Sequence, residues 1–120
     1  VKALSVRAPW AGLIASGAKT LEVRSKPTHY RGELLICQAQ GGGAVAIVEV
    51  VGCRSWEPAD VVATGNAPAD LCAGQYVWEL RLLERVTSPT IRGALSFFEV
   101  DPVVLTSRVV VARPSPFRLT

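Results

Sequence analysis

The chain of 120 residues has a single histidine, His29, and only three cysteines, Cys37, Cys53 and Cys72, with no C-x-x-C pair. A lone imidazole and dispersed thiols do not assemble the nitrogen and sulfur sets that hold zinc, so no metal site is expected. An odd number of cysteines among apolar neighbours reads as buried free thiols. No apolar run reaches the roughly 20 residues that cross a bilayer as a helix, and no basic segment leads into an apolar stretch with a cleavage site. The chain therefore reads as soluble and cytoplasmic, without a membrane partner. Low-complexity sequence is confined to Gly41-Gly42-Gly43, which lacks a following Gly-Lys-Ser or Gly-Lys-Thr and so is a flexible connector or hairpin turn instead of a phosphate loop. No cofactor motif is present.

What the chain does have is apolar residue in quantity, 49% of the total, in short Val, Leu, Ile and Ala runs punctuated by Gly and Pro. That is the composition of a compact, strand-rich protein, and the length suits one hydrophobic core. Charge is distributed unevenly. Residues 1 to 31 carry Lys2, Arg7, Lys19, Arg24, Lys26 and Arg31 against Glu22 alone, whereas residues 32 to 83 carry two basic and six acidic side chains. A polyanion is drawn to the first third more than to the molecule as a whole.

Lys2 to Arg7 alternates as a strand. Pro9 suits the first turn of a helix, Trp10, Leu13 and Ile14 form an i, i+3, i+4 stripe, and Gly17 supplies a left-handed cap. Thr20 to Arg24 returns to period two, which directs Leu21 and Val23 inward and Thr20, Glu22 and Arg24 to the opposite face. Glu33 to Ala39 and Ala44 to Cys53 read as strands, the second with Glu49 as its charged member. Pro58 to Ala63 and Pro68 to Ala73 read as short helical turns. Gln75 to Val86 is the longest strand, with a hairpin partner at Ala94 to Val100. Val103 to Ala112 is either a last strand of the sheet or an arm that packs on a neighbour. The sum is a mixed α+β, mainly β protein, a small barrel in which closure removes exposed edges.

Leu4-Ser5-Val6-Arg7-Ala8-Pro9-Trp10-Ala11, then Gly17-x-Lys19-Thr20-x-Glu22-x-Arg24-Ser25, then Pro27-Thr28-x-Tyr30-Arg31-Gly32, resembles the activating signal cointegrator 1 homology (ASCH) family, a branch of the PUA-like barrels. Weaker similarity continues through Gly43 to Trp56 and Tyr76 to Asp101, with Ile91-Arg92-Gly93 before a closing strand. The resemblance implies a PUA-like β-barrel over residues 1–101, with a short N-terminal helix lying across it. Residues 102–120 are then a C-terminal strand or arm continuing the same single domain. It further implies a cleft beside the helix that receives RNA or a nucleobase-containing ligand.

The residues agree with a ligand of that kind. Arg7, Lys19, Arg24 and Arg31 can neutralise phosphate, and guanidinium groups can also form forked hydrogen bonds with a base edge. Glu22 can accept from an exocyclic amine, and Trp10 or Tyr30 offers a stacking surface. Ser5 and Thr20 complete the expected binding set. Each has a plainer reading: Trp10 as core, Glu22 with Arg24 as a surface pair, His29 as a solvated turn residue, and Arg54, Trp56, Arg81 and Arg92 as rim or surface.

Two alternatives to an RNA- or nucleotide-binding module stand beside it. Some relatives in the barrel group hydrolyse acylated cytidine and others cut RNA, so the resemblance also implies a small nucleoside or RNA hydrolase; in this chain Lys19 with Glu22 or Glu49 can supply an acid and a base if burial shifts their pKa values. Lys19 matches the lysine of the amidohydrolases, but Glu22 stands where they have threonine. A self-association module through Val103 to Ala112 is the third reading.

Overall fold

The structure, a computed structural model, describes residues 1–111. Seven strands form one sheet: β1 (Lys2–Val6), β2 (Leu21–Arg24), β3 (Gly32–Gln38), β4 (Ala44–Ser55), β5 (Tyr76–Thr87), β6 (Phe98–Glu99) and β7 (Ser107–Val110). Their hydrogen-bonded order is β2-β5-β4-β3-β1-β6, with β7 also on β5. The pair β1 and β3 is parallel, and every other pairing is antiparallel. The sheet curls into a half-barrel, so the protein is mainly β with few short helices, in keeping with a small PUA-like barrel. The 12-residue β5 serves two strands along one edge: Tyr76 to Glu79 pair with β2, and Glu84 to Thr87 pair with β7.

Curling gives the sheet two apolar faces, and the central strands feed both. Leu34 and Ile36 of β3 join Leu4, Val6, Val48, Val50 and Trp78 in one cluster, while Leu35 and Cys37 join Ala3, Ile47, Val86 and Val100 in the other. Successive side chains of a strand point oppositely, so the unbroken run Leu34-Leu35-Ile36-Cys37 is buried on both sides. Each fully buried Leu or Ile contributes roughly 1.5–3 kcal/mol.

The helix α1 (Trp10–Ser16) rests on the first cluster through Ala11 and Ile14. Pro9 stands at its N-cap, and Gly17 ends it in the left-handed conformation at φ 87°, its N–H donating to Ile14 O. Arg85 of β5 then donates from Nε to Ala15 O at 2.7 Å, placing a cation against the carbonyl end of the helix. A 3-10 turn at Pro58–Asp60 and the one-turn α2 (Ala69–Cys72) lie in the segment between β4 and β5.

One sequence expectation changes here, and two are narrowed to one of their alternatives. The segment Ala94 to Val100 is not a hairpin partner of β5: only Phe98 and Glu99 form a strand, and they pair with β1, because the chain crosses to the far edge of the sheet. The three glycines are a hairpin turn between β3 and β4, but not a flexible one. Gly43 O accepts from Gln38 N–H at 2.9 Å, Gly42 O from Ile91 N–H at 3.1 Å and Gly41 O from Thr90 Oγ1 at 3.0 Å. A Cβ on Gly43 would lie 2.4 Å from Ser88 O, so the turn and the 88–91 segment touch at a distance only glycine permits. Of the two readings for the C-terminal segment, Ser107–Val110 pairs within its own sheet, antiparallel to β5. Ala112, the last residue of that segment, lies outside the described residues.

Candidate functional site

Beside the N-terminus of α1 opens a cleft of about 770 Å³. Five pieces of chain line it: the end of β1 with Ser5 and Arg7, Trp10 of α1, Arg24 of β2, the turn Ala39 to Gly41, and the strap Thr90 to Leu95. The strap is drawn close by Gly93, where a Cβ would lie 2.0 Å from Ser5 Oγ. Only the bare backbone fits there. Its neighbour Arg92 thereby joins the lining that holds Arg7 and Arg24, giving three guanidinium groups and no carboxylate. Arg7 and Arg92 are exposed and make no salt bridge with any described residue. Arg24 is held: Nε donates to Glu22 Oε2 at 3.0 Å and Nη2 donates to Ser5 O at 2.9 Å.

A second, smaller pocket of about 220 Å³ also has Trp10 in its lining, together with Lys19, Glu22, Pro68, Leu71 and Cys72. Lys19 is only 3% exposed and Glu22 7%. The Lys19 ammonium donates to Leu21 O at 2.6 Å and Thr64 O at 2.9 Å, and it lies 3.4 Å from Glu22 Oε1. Three acceptors thus surround three N–H groups. Burial pushes Lys19 below its ordinary value, with the Glu22 carboxylate opposing that shift. Burial likewise pushes the nearby Cys72 thiol up. Glu22 is therefore a bridge, one oxygen toward a buried lysine and the other toward a cleft arginine.

The residues expected from sequence fall into three groups. Ser5, Arg7, Trp10 and Arg24 line the cleft. Lys19 and Glu22 line the inner pocket, and for Glu22 this corrects the face opposite Leu21 and Val23 read from the period of β2. The reason is that the 61–72 segment docks on the edge of β2, Ala63 O accepting from both Thr20 and Leu21 N–H, and brings Ala67, Pro68, Leu71 and Cys72 into the same lining. Thr20, Tyr30 and Arg31 line neither cavity. Thr20 uses its backbone to bridge Ala63 and Leu80, and Arg31 Nη1 donates to Thr28 O and Tyr30 O at 3.0 and 2.8 Å. The Tyr30 ring packs edge-on to Phe97 at 5.6 Å, and its hydroxyl donates to Glu33 O.

Elsewhere, Glu49 accepts from Arg81 at 2.6 and 3.1 Å, a cross-strand pair remote from both cavities, and it does not meet Arg24. Arg54 is bound by both oxygens of Asp60 at 2.8 Å. That contact holds the Asp60 carboxyl below, and the Arg54 guanidinium above, their ordinary values. Cys37 and Cys72 are buried, and burial pushes the Cys37 thiol up to about 11, but Cys53 is half-buried and its sulfur accepts from Thr28 N–H at 3.5 Å. Arg92 and Gln40 are cleft residues that sequence reasoning missed. The signal for Arg92 was the glycine after it, which marks a close backbone approach; Gln40 left none.

A curled, mainly β sheet with a short helix beside its first strand is the architecture of a small PUA-like barrel. The ASCH domain family model matches residues 4–89, well over half of the chain, and the chain belongs to that family. No curated protein matches the chain closely enough to be called a relative. Among the described residues no helix is long and apolar enough to cross a membrane.

Proposed function

We propose that this ASCH domain binds RNA or a nucleotide in the cleft of Arg7, Arg24 and Arg92. The supporting observation is the lining itself, three guanidinium groups without a carboxylate in a hollow of about 770 Å³. Arg7 and Arg92 supply the phosphate contacts, Arg24 is pre-oriented by Glu22 and Ser5, and Trp10 offers an indole to a base. Neutralising phosphates releases counterions, so affinity must fall as salt rises.

Titration of labelled single-stranded and double-stranded RNA at 50 and 200 mM salt tests this. Binding should weaken with salt, and the double variant Arg7→Glu, Arg92→Glu should lose about tenfold or more in affinity while its thermal unfolding is unchanged. No binding at the lower salt, or binding indifferent to the charge reversal, rejects the proposal.

A second reading, hydrolysis of a small nucleoside, draws support from the position of Lys19 and Glu22 in a pocket beside Trp10, with the lysine pushed below its ordinary value. Against it, the ammonium already has all the acceptors it can use. Turnover of acylated cytidine or RNA that a Lys19→Arg variant abolishes would establish this reading. Equal turnover by both proteins points to a contaminant.

A further inference from the structure

Gln40 stands out in the cleft wall because its backbone adopts φ 62°, the left-handed region that glycine enters freely and other residues reluctantly. The next three residues, Gly41, Gly42 and Gly43, are all glycine, and Gly41 is left-handed too at φ 91°. In a turn whose following three residues are all glycine, one position keeps a long side chain where the backbone would be easier without it. That side chain lines the cleft, is exposed, and has no hydrogen-bond partner among the described residues. Its backbone surroundings are held firmly, Ala39 N–H donating to Val6 O at 2.8 Å and Thr90 Oγ1 donating to Gly41 O.

The chemistry of the lining gives this carboxamide a distinct task. Arg7, Arg24 and Arg92 donate hydrogen bonds and accept none. A wall of donors suits phosphate oxygens and the O6/N7 edge of guanine, but it offers nothing to an exocyclic amino group. Gln40 places an acceptor and a donor side by side, a pattern that the Watson–Crick edge of any base can meet but that adenine alone also meets on its Hoogsteen edge, through its amino group and N7. In a single strand both the Watson–Crick and the Hoogsteen edges of adenine present that pair.

We infer that Gln40 reads the base held in the cleft and gives the domain a preference for adenine, the arginines supplying affinity without choosing among bases. This rests on the nucleotide-binding reading above.

The test uses fluorescently labelled single-stranded RNA octamers of A, C, G or U, titrated with the wild-type chain and with Gln40→Gly at two salt concentrations. Wild type should favour the adenine octamer over the uracil octamer by about fivefold or more. Gln40→Gly should bring that ratio close to one while keeping the same salt dependence. Because glycine suits the left-handed position, the variant should unfold at the same temperature as wild type or higher. Salt-dependent binding without base preference in the wild type, or a preference that Gln40→Gly leaves intact, overturns the role of Gln40 alone. Failure of every octamer to bind at low salt overturns the nucleotide-binding reading and this inference with it.

Discussion

Two hollows share Trp10 in their linings, and they use positive charge in opposite ways. In the inner pocket, Lys19 is enclosed and spent on two carbonyls and Glu22. In the outer cleft, Arg7 and Arg92 stand exposed, and only Arg24 is tied back. The difference teaches that cations clustered in sequence need not share a role. Enclosure with full satisfaction makes a lysine part of the scaffold, whereas exposure without a carboxylate partner leaves an arginine free for a ligand. Glu22 connects the two by orienting a cleft arginine from a buried anchor.

The largest effect should come from the enclosed side. Lys19→Ala leaves the Glu22 carboxylate buried with one partner fewer, and loss of about 3–5 kcal/mol is expected in urea unfolding at pH 7. A loss under about 1 kcal/mol would dissolve the contrast, since Lys19 would then not be scaffold. Next comes the wall of the cleft: Gly43→Ala drives a methyl group against Ser88 O and should cost about 1–3 kcal/mol, together with weaker RNA binding. Wild-type behaviour in both assays would show that the turn and the strap move independently.

The smallest effect sharpens the contrast from a third arginine. Arg54 is exposed like Arg7, but it is bound by Asp60. The Asp60 carboxyl is held below its ordinary value of 3.8, so the unfolded chain takes up this proton first as pH falls. The pair's stabilisation is therefore fully present above about pH 3.8 and is lost as pH drops through the lower, folded value. Asp60→Asn should be less stable than wild type at neutral pH, by about 1 kcal/mol for a buried carboxylate whose partner guanidinium is exposed, and the gap should close in acid. A gap independent of pH would assign the effect to lost packing.

What could be read beforehand was the chemistry that acts locally. Pro9 and Gly17 bracket α1 because caps depend on neighbouring residues, and the apolar runs of β3 and β4 announce strands buried on both sides. The facing of Glu22 escaped such reading, since β2 has an ordinary alternating pattern and the segment that docks on its edge comes some 40 residues later. Arg92 and Gln40 escaped for a related reason. Their approach to Arg7 depends on the strap and the glycine turn meeting; Gly93 marks a close approach without showing what it approaches, and Gln40 carries no mark at all.

The origin of the cleft walls also bears on when the chain becomes competent during synthesis. Arg7 and Arg24 leave the ribosome well before the opposite wall, residues 90 to 95, which follow the whole of β5. The hollow cannot close around these two guanidinium groups until the strap has been made, whatever the rest of the fold has reached by then.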